Sequence, residues 1–307
     1  MKVIGHEETK KIIRLFLDKG YSSYSFLFEG KDCTGKKLIA LLTARAFLCE
    51  KGFGFGCGEC ESCRLADNTI SNIYKNTHLN PHPNIKLISP EKEIKIDQIR
   101  SVIDFLRLKG KKAVIIEKAE KMNVEASNAL LKTLEEPPSD SMIILTTSNQ
   151  QLLLPTIVSR CKKIRFRPLK SEEIQHILSL EGMDEKMLKT AVALSDGSMC
   201  IPETILKKPN LFKYAKDLYT ILSLNGLHPE GIITLGDILD KLDQEDINRI
   251  MDIVEKILYK KTLKGDISPD FYDRFIKENQ ELRKAISKGV KKKLAVEGMY
   301  FNLKTGG

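Results

Sequence analysis

No stretch of this 307-residue chain approaches the run of about 18–20 apolar residues that a membrane helix needs. A membrane-spanning helix is therefore not expected. The first eleven residues are polar and include Glu7 and Glu8, so a secretory signal is not expected either, and the compartment expected is the cytoplasm. Internal repeats and low-complexity tails are missing, apart from short lysine runs such as Lys291-Lys292-Lys293. Cysteine is sparse, seven in all, and four of the seven are crowded together. In a reducing compartment that crowding favours metal over disulfides.

Hydrophobic residues make up 42% of the chain and charged residues 30%, which is the balance of a soluble globular protein with two or three domains. The formal charge of +9 suits either a lysine-rich solvated surface or work beside nucleic acid phosphates, and charge alone does not separate them.

The informative stretch is Phe26-Leu27-Phe28-Glu29-Gly30-Lys31-Asp32-Cys33-Thr34-Gly35-Lys36-Lys37. An apolar strand, a glycine, four residues and Gly-Lys form the frame of a phosphate-binding P-loop, with Gly30, Gly35, Lys36 and Lys37 as candidate nucleotide contacts for ATP or ADP. A metal-using loop has Ser or Thr after the lysine, to hold Mg²⁺. Lys37 stands there, and an ammonium cannot ligate a cation. The frame is a nucleotide site that has kept its shape and lost its metal.

Strand residues Ser25 to Phe28 precede the loop, and a helix after Gly35 runs to about Glu50. Further strands are expected at Ile85–Ser89, Ala113–Ile116, Met142–Thr147 and Lys162–Phe166. Between them come a helix capped by Asp97 and one capped by Asn123 that stops at Pro137-Pro138. Residues 2–20 read as a first helix, and residues 64–84 as polar turns. Alternating strands and helices imply a mostly parallel sheet covered on both faces. Glu117-Lys118 follows the third strand, where an active P-loop ATPase carries an acidic metal anchor and then a glutamate base. Lysine cannot act as that base at neutral pH without strong perturbation. Past Pro168 the pattern is wholly helical, with helices about 210–225, 229–243 and 280–300 and an apolar stripe from Ile247 to Leu258.

Cys49, Cys57, Cys60 and Cys63 lie on a glycine-rich stretch, and two overlapping Cys-x2-Cys pairs suit tetrahedral Zn²⁺. Four protein ligands leave no open position, so such a zinc is structural. With that set complete, His78 and His82 are expected to be loop histidines rather than ligands.

Together with the P-loop and the four-cysteine knuckle, Leu130-Leu131-Lys132-Thr133-Leu134-Glu135-Glu136-Pro137-Pro138 and Ser159-Arg160-Cys161 resemble the bacterial clamp-loader branch of the AAA+ superfamily, and within it the delta-prime family of DNA polymerase III subunits. The resemblance covers about residues 1–200. It implies an α/β plus all-α protein: a RecA-like AAA+ domain over 1–167 with the zinc module at about 49–63, a helical lid over 168–208 and a helical collar over 209–307. It also implies a subunit that does not hydrolyse ATP by itself but belongs to the DNA-directed DNA polymerase III holoenzyme. Arg160 would be an arginine finger for ATP in a neighbouring motor subunit. The implied partners are gamma/tau and delta subunits, the sliding clamp (beta) and primer–template DNA, with no membrane. ATP-hydrolysing gamma/tau relatives have Ser or Thr at position 37, an Asp-Glu pair at 117–118 and an arginine after the Gly197-Ser198 turn. Here Met199-Cys200 follows that turn. A gamma/tau-type ATPase and a zinc-dependent DNA-binding protein with a vestigial P-loop are the competing readings.

Overall fold

A computed structural model describes residues 3–52, 54–75, 82–90, 92–223 and 227–305. The chain divides into two units, Met1–Glu173 and Ile174–Gly307.

In the first unit, α1 (Glu7–Leu17) precedes β1 (Ser23–Glu29), α2 (Lys36–Leu48), α3 (Glu61–Lys75), β2 (Ile85–Ile88), α4 (Ile96–Leu106), β3 (Lys112–Ile116), α5 (Val124–Glu135), β4 (Ser141–Thr147), α6 (Pro155–Arg160) and β5 (Lys162–Arg165). The strands form one parallel sheet in the order β2-β3-β4-β1-β5. β1 lies between β4 and β5, with Phe26 opposite Ile144 on one side and Lys162 on the other.

The period of two assigns the faces. Phe26, Phe28, Ile115, Met142 and Ile144 pack on one side with Ile39, Leu41 and Phe47 of α2. Leu27, Val114, Ile116, Ile143 and Leu145 pack on the other with Ile99 and Val102 of α4 and Ala126, Leu130 and Leu134 of α5. Each fully buried Leu, Ile or Phe contributes about 1.5–3 kcal/mol, so both helical layers are held by the same three inner strands. The sheet expected from the alternating pattern is the one found.

Three local expectations are corrected. Residues 61–75 form α3 rather than polar turns: Cys63, Ala66 and Ile70 fall on one buried face, and Thr69 closes it by donating through Oγ1 to the carbonyl of Leu65. The N-cap of α4 is Lys95, whose backbone N–H donates to Gln98 Oε1 at 3.0 Å, while Asp97 sits inside the first turn. The first helix is shorter than expected, Glu7–Leu17.

The second unit is helical. α7 (Ser171–Leu180) crosses the division between units. It is followed by α8 (Glu185–Ser195), α9 (Cys200–Lys207), α10 (Pro209–Ser223), α11 (Pro229–Leu239), α12 (Gln244–Leu263), α13 (Pro269–Ser287) and α14 (Lys292–Thr305). The stripe on α12 is core: Ile247, Ile250, Met251, Val254 and Leu258 are all buried. The helix expected at 280–300 is two helices, because Gly289 adopts a φ of 93° that ends α13. No described helix is long and apolar enough to cross a membrane.

The backbone approaches closely at Gly30, immediately after β1. A Cβ built there would lie 2.4 Å from the carbonyl oxygen of Phe166, just beyond β5. We expect Gly30→Ala to cost about 1–3 kcal/mol through overpacking, read as a lower urea midpoint with an unchanged m-value.

Candidate functional site

The loop between β1 and α2 is closed by its own side chains. Gly30 N–H donates to Thr147 O at 3.2 Å, which ties the loop's start to the end of β4. Cys33 and Gly35 take positive φ, 54° and 92°, which turns the chain sharply into α2. Lys36 Nζ donates to the carbonyls of Gly30 at 2.5 Å and Lys31 at 2.7 Å, with Asp32 Oδ1 at 3.9 Å. Burial lowers the pKa of Lys36, and Asp32, Glu120 and Glu117 oppose that effect. His6, which sequence reasoning did not single out, is buried with Nε2 2.7 Å from the carbonyl oxygen of Thr34. Burial lowers its pKa first of all. Its signal in sequence is a lone histidine in a polar segment, which carries no periodicity.

Lys37, in the first turn of α2, reaches the end of β3. Its Nζ is 2.9 Å from Glu117 Oε2, and the same oxygen accepts from Ser89 Oγ at 2.7 Å. Both charged side chains are about three-quarters buried, with 27% and 22% exposure. Glu117 N–H donates to Ile88 O, so the carboxylate stands on backbone shared by β2 and β3. Lys118 takes a left-handed φ of 50° and points no carboxylate at the loop. Glu120, also missed in sequence, accepts from Ser148 N and Oγ at 3.3 and 2.9 Å. It links the end of β3 to the end of β4. Mg²⁺ requires oxygen ligands at about 2.0–2.1 Å in near-octahedral array. An ammonium on the strand-end carboxylate does not fit that requirement.

The four cysteines come together. Their sulfurs all lie within 4.8 Å of one another, with Cys57 and Cys63 at 4.0 Å. Cys49 caps the end of α2, Cys57 and Cys60 sit in the glycine loop, and Cys63 is in the first turn of α3. Backbone N–H groups aim at the sulfurs: Cys57 N at Cys49 Sγ (3.3 Å), Cys60 N at Cys57 Sγ (3.3 Å) and Cys63 N at Cys60 Sγ (3.4 Å). Such donors favour thiolates, the form a metal binds. Buried Arg45 lies alongside, donating to Phe55 O at 3.0 Å and Asp67 Oδ2 at 2.8 Å. A Cβ on Gly56 would be 2.9 Å from Cys63 Sγ and 3.2 Å from Arg45 Cγ, so this glycine lets loop and sulfurs close up. A ligand set of four sulfurs on a closed knuckle suits zinc at about 2.3 Å per bond. His82 takes no part: its Nε2 is 3.1 Å from Ser62 Oγ and its Nδ1 accepts from Asn84 N. His78 lies outside the described residues.

Arg160 ends α6. Its Nη2 donates to Glu135 Oε1 at 2.5 Å and its Nη1 to Thr156 O at 3.0 Å. Glu135 closes α5 just before Pro137-Pro138, so the two motifs read separately in sequence meet as one ion pair. The sheet register fixes where that pair is. β5 begins at Lys162 opposite Phe26 and reaches Arg165 opposite Glu29, and the P-loop starts one residue later. Arg160 precedes Lys162 and therefore lies toward the amino-terminal ends of the strands. The paired part of β5 alone spans about 10 Å at 3.3 Å per residue. The arginine does not face the loop of its own chain. Met199-Cys200, after the Gly197-Ser198 turn, opens α9.

A family model described as DNA polymerase III, delta subunit, matches residues 5–170, over half of the chain. The DNA polymerase III subunit delta' of Bacillus subtilis (strain 168) is 36% identical over 184 residues, covering 58% of this chain and 53% of that protein. The tau subunit of the same organism is 29% identical over 209 residues, covering 64% of this chain and 35% of that one. The chain thus spans about half the length of the first relative and a third of the second. A solved structure of a DNA polymerase III gamma subunit-related protein from Thermotoga maritima superposes with a TM-score of 0.57 at 20% identity, over 97% of this chain and 99% of that one. That likeness is one of fold.

From the sulfur geometry we expect elemental analysis of the purified chain to find about one zinc. Changing Cys57 and Cys60 together to Ser should abolish it and lower the melting temperature. Retention of the metal would mean that it sits elsewhere.

Proposed function

The chain belongs to the family described as DNA polymerase III, delta subunit, and from that premise we propose that it is a delta-prime-type subunit of the bacterial clamp loader. It works in the cytoplasm with gamma/tau and delta subunits to place the sliding clamp on primer–template DNA during replication. It does not hydrolyse ATP alone. Instead it supplies Arg160 in trans to ATP held by a neighbouring motor subunit. In this proposal residues 1–167, 168–208 and 209–307 serve as AAA+ domain, lid and collar, and zinc at the four cysteines stiffens the first of these.

The observation that carries the proposal is the place of Arg160. A guanidinium is permanently charged and forked, suited to the charge that builds on a transferring phosphoryl group. The register of β5 holds it away from its own loop, which supports use on a nucleotide of another chain. Glu135 and the carbonyl of Thr156 hold the half-buried guanidinium in place until phosphate oxygens replace the carboxylate. The pair is exposed enough that its own contribution to stability is about 0–1 kcal/mol, so its conspicuous geometry points to positioning. The Lys37–Glu117 pair supports the non-hydrolysing half of the proposal and weighs against a gamma/tau-type ATPase. The family match over residues 5–170 weighs against a free-standing zinc-dependent DNA-binding protein.

Arg160→Ala should leave folding and assembly of the reconstituted complex unchanged. It should slow hydrolysis at the neighbouring site by roughly 10³-fold or more, read as loss of that site's share of DNA-stimulated ATP turnover and of clamp loading. Wild-type clamp loading by this variant, or Mg²⁺-dependent turnover by the isolated chain that Lys36→Ala abolishes, would overturn the assignment.

A further inference from the structure

Arg45, on α2 one helical turn before Cys49, is a buried cation beside the cysteine module, with only 10% of its side chain exposed. Its two terminal nitrogens are engaged: Nη1 donates to Phe55 O at 3.0 Å in the glycine loop, and Nη2 to Asp67 Oδ2 at 2.8 Å on α3. Nε is buried and has no acceptor among the described residues. Asp67 Oδ1 is likewise buried without a donor, so carboxylate and guanidinium meet through one oxygen and Nε is left to another neighbour. That neighbour is the knuckle. The point where a Cβ on Gly56 would sit is 3.5 Å from Arg45 Nε and 2.9 Å from Cys63 Sγ. A buried N–H without an acceptor is costly, and native structures hold few of them.

The four sulfurs fit zinc by donor type and by their mutual distances, all within 4.8 Å. Four thiolates on a divalent ion leave the cluster negative, and a buried anion is stable only with donors and a cation close by. The backbone N–H groups described above reach Cys49, Cys57 and Cys60 Sγ. Cys63 Sγ, on a fully buried residue, is the sulfur beside the arginine. We propose that Arg45 is a positioning residue of the metal centre: its Nε–H serves the Cys63 thiolate when metal is bound, while Nη1 and Nη2 hold the glycine loop to α3 around the sulfurs. This role rests on the cysteines being a zinc site, and it names the side chain that balances and orients the thiolates. Outer-shell partners of metal ligands are worth about 10–100-fold in metal affinity.

The test uses the full chain with isotope-labelled arginine, loaded with zinc and, separately, with a spin-active isotope of cadmium. In the nuclear magnetic resonance spectrum of the cadmium form, Arg45 Nε–H should show a scalar coupling to the metal through the Cys63 sulfur, which a donor bonded elsewhere does not give. Arg45→Lys keeps the charge and loses that N–H. It should lose the coupled resonance and bind zinc about 10–100-fold more weakly in competition with a chromophoric chelator. Asp67→Asn, which alters the far side of the guanidinium and leaves Nε in place, should keep the coupling and stay within about threefold of wild-type affinity. The role is overturned if cadmium-loaded wild type shows no coupled arginine resonance, if Arg45→Lys holds zinc as tightly as wild type, or if Asp67→Asn weakens zinc equally. The wild-type spectrum decides even where Arg45→Lys does not fold. A purified chain without zinc would overturn the metal reading along with this role, whereas the other adverse results leave zinc binding standing.

Discussion

The contact on which the first unit's chemistry depends is a salt bridge of 2.9 Å between the first turn of α2 and the end of β3. Those two elements are brought together by the sheet, whose order sets β1 two strands from β3 with β4 between them. Phosphate-binding loops place a helix start near such a strand end because charge is handled there. Here the handling is done by the chain's own lysine. The lysine sets the site's electrostatics within a frame tied by backbone hydrogen bonds such as Gly30 N–H to Thr147 O.

The same economy is visible in the cysteine module. Its sulfurs are drawn from the end of α2, from a glycine loop and from the start of α3, so the cluster joins two helices that each pack on the sheet. The backbone donors and Arg45 were invisible as a pattern, because N–H groups carry no residue identity and Arg45 sits in the largely apolar second half of α2. The sulfurs themselves were legible, since soft ligands at short spacing have few other uses in a reducing compartment.

Much of the fold could be read from periodicity. β1, β3 and β4 are short apolar runs bounded by glycine, charge or proline, and each lies within a residue or two of its expected span. Where reading failed, composition misled. The segment from Glu61 to Lys75 is rich in Asn, Ser and Asp on its outer side, and those residues masked the buried face of Cys63, Ala66 and Ile70. The break at Gly289 was hidden by apolar spacing that continues on both sides of it. Of the candidate site, residue types were legible one at a time. Pairings such as Lys37 with Glu117, or Arg160 with Glu135, were not, because register and not sequence separation brings them together.

The parallel sheet gives the first unit a front and a back. Arg160 is at one end of the strands and the P-loop at the other, and parallel strands cannot interchange those ends. Under the proposed function, contacts between such units would be head-to-tail, and contacts of that kind propagate until something stops them. On the function proposed above, a link that lends its arginine forward but offers no metal-charged nucleotide behind is a terminator: it can begin or end a row of motors but cannot sit as a working site within one. Asymmetry of a whole assembly would then trace to two lysines, Lys37 one residue into a helix and Lys118 just past a strand.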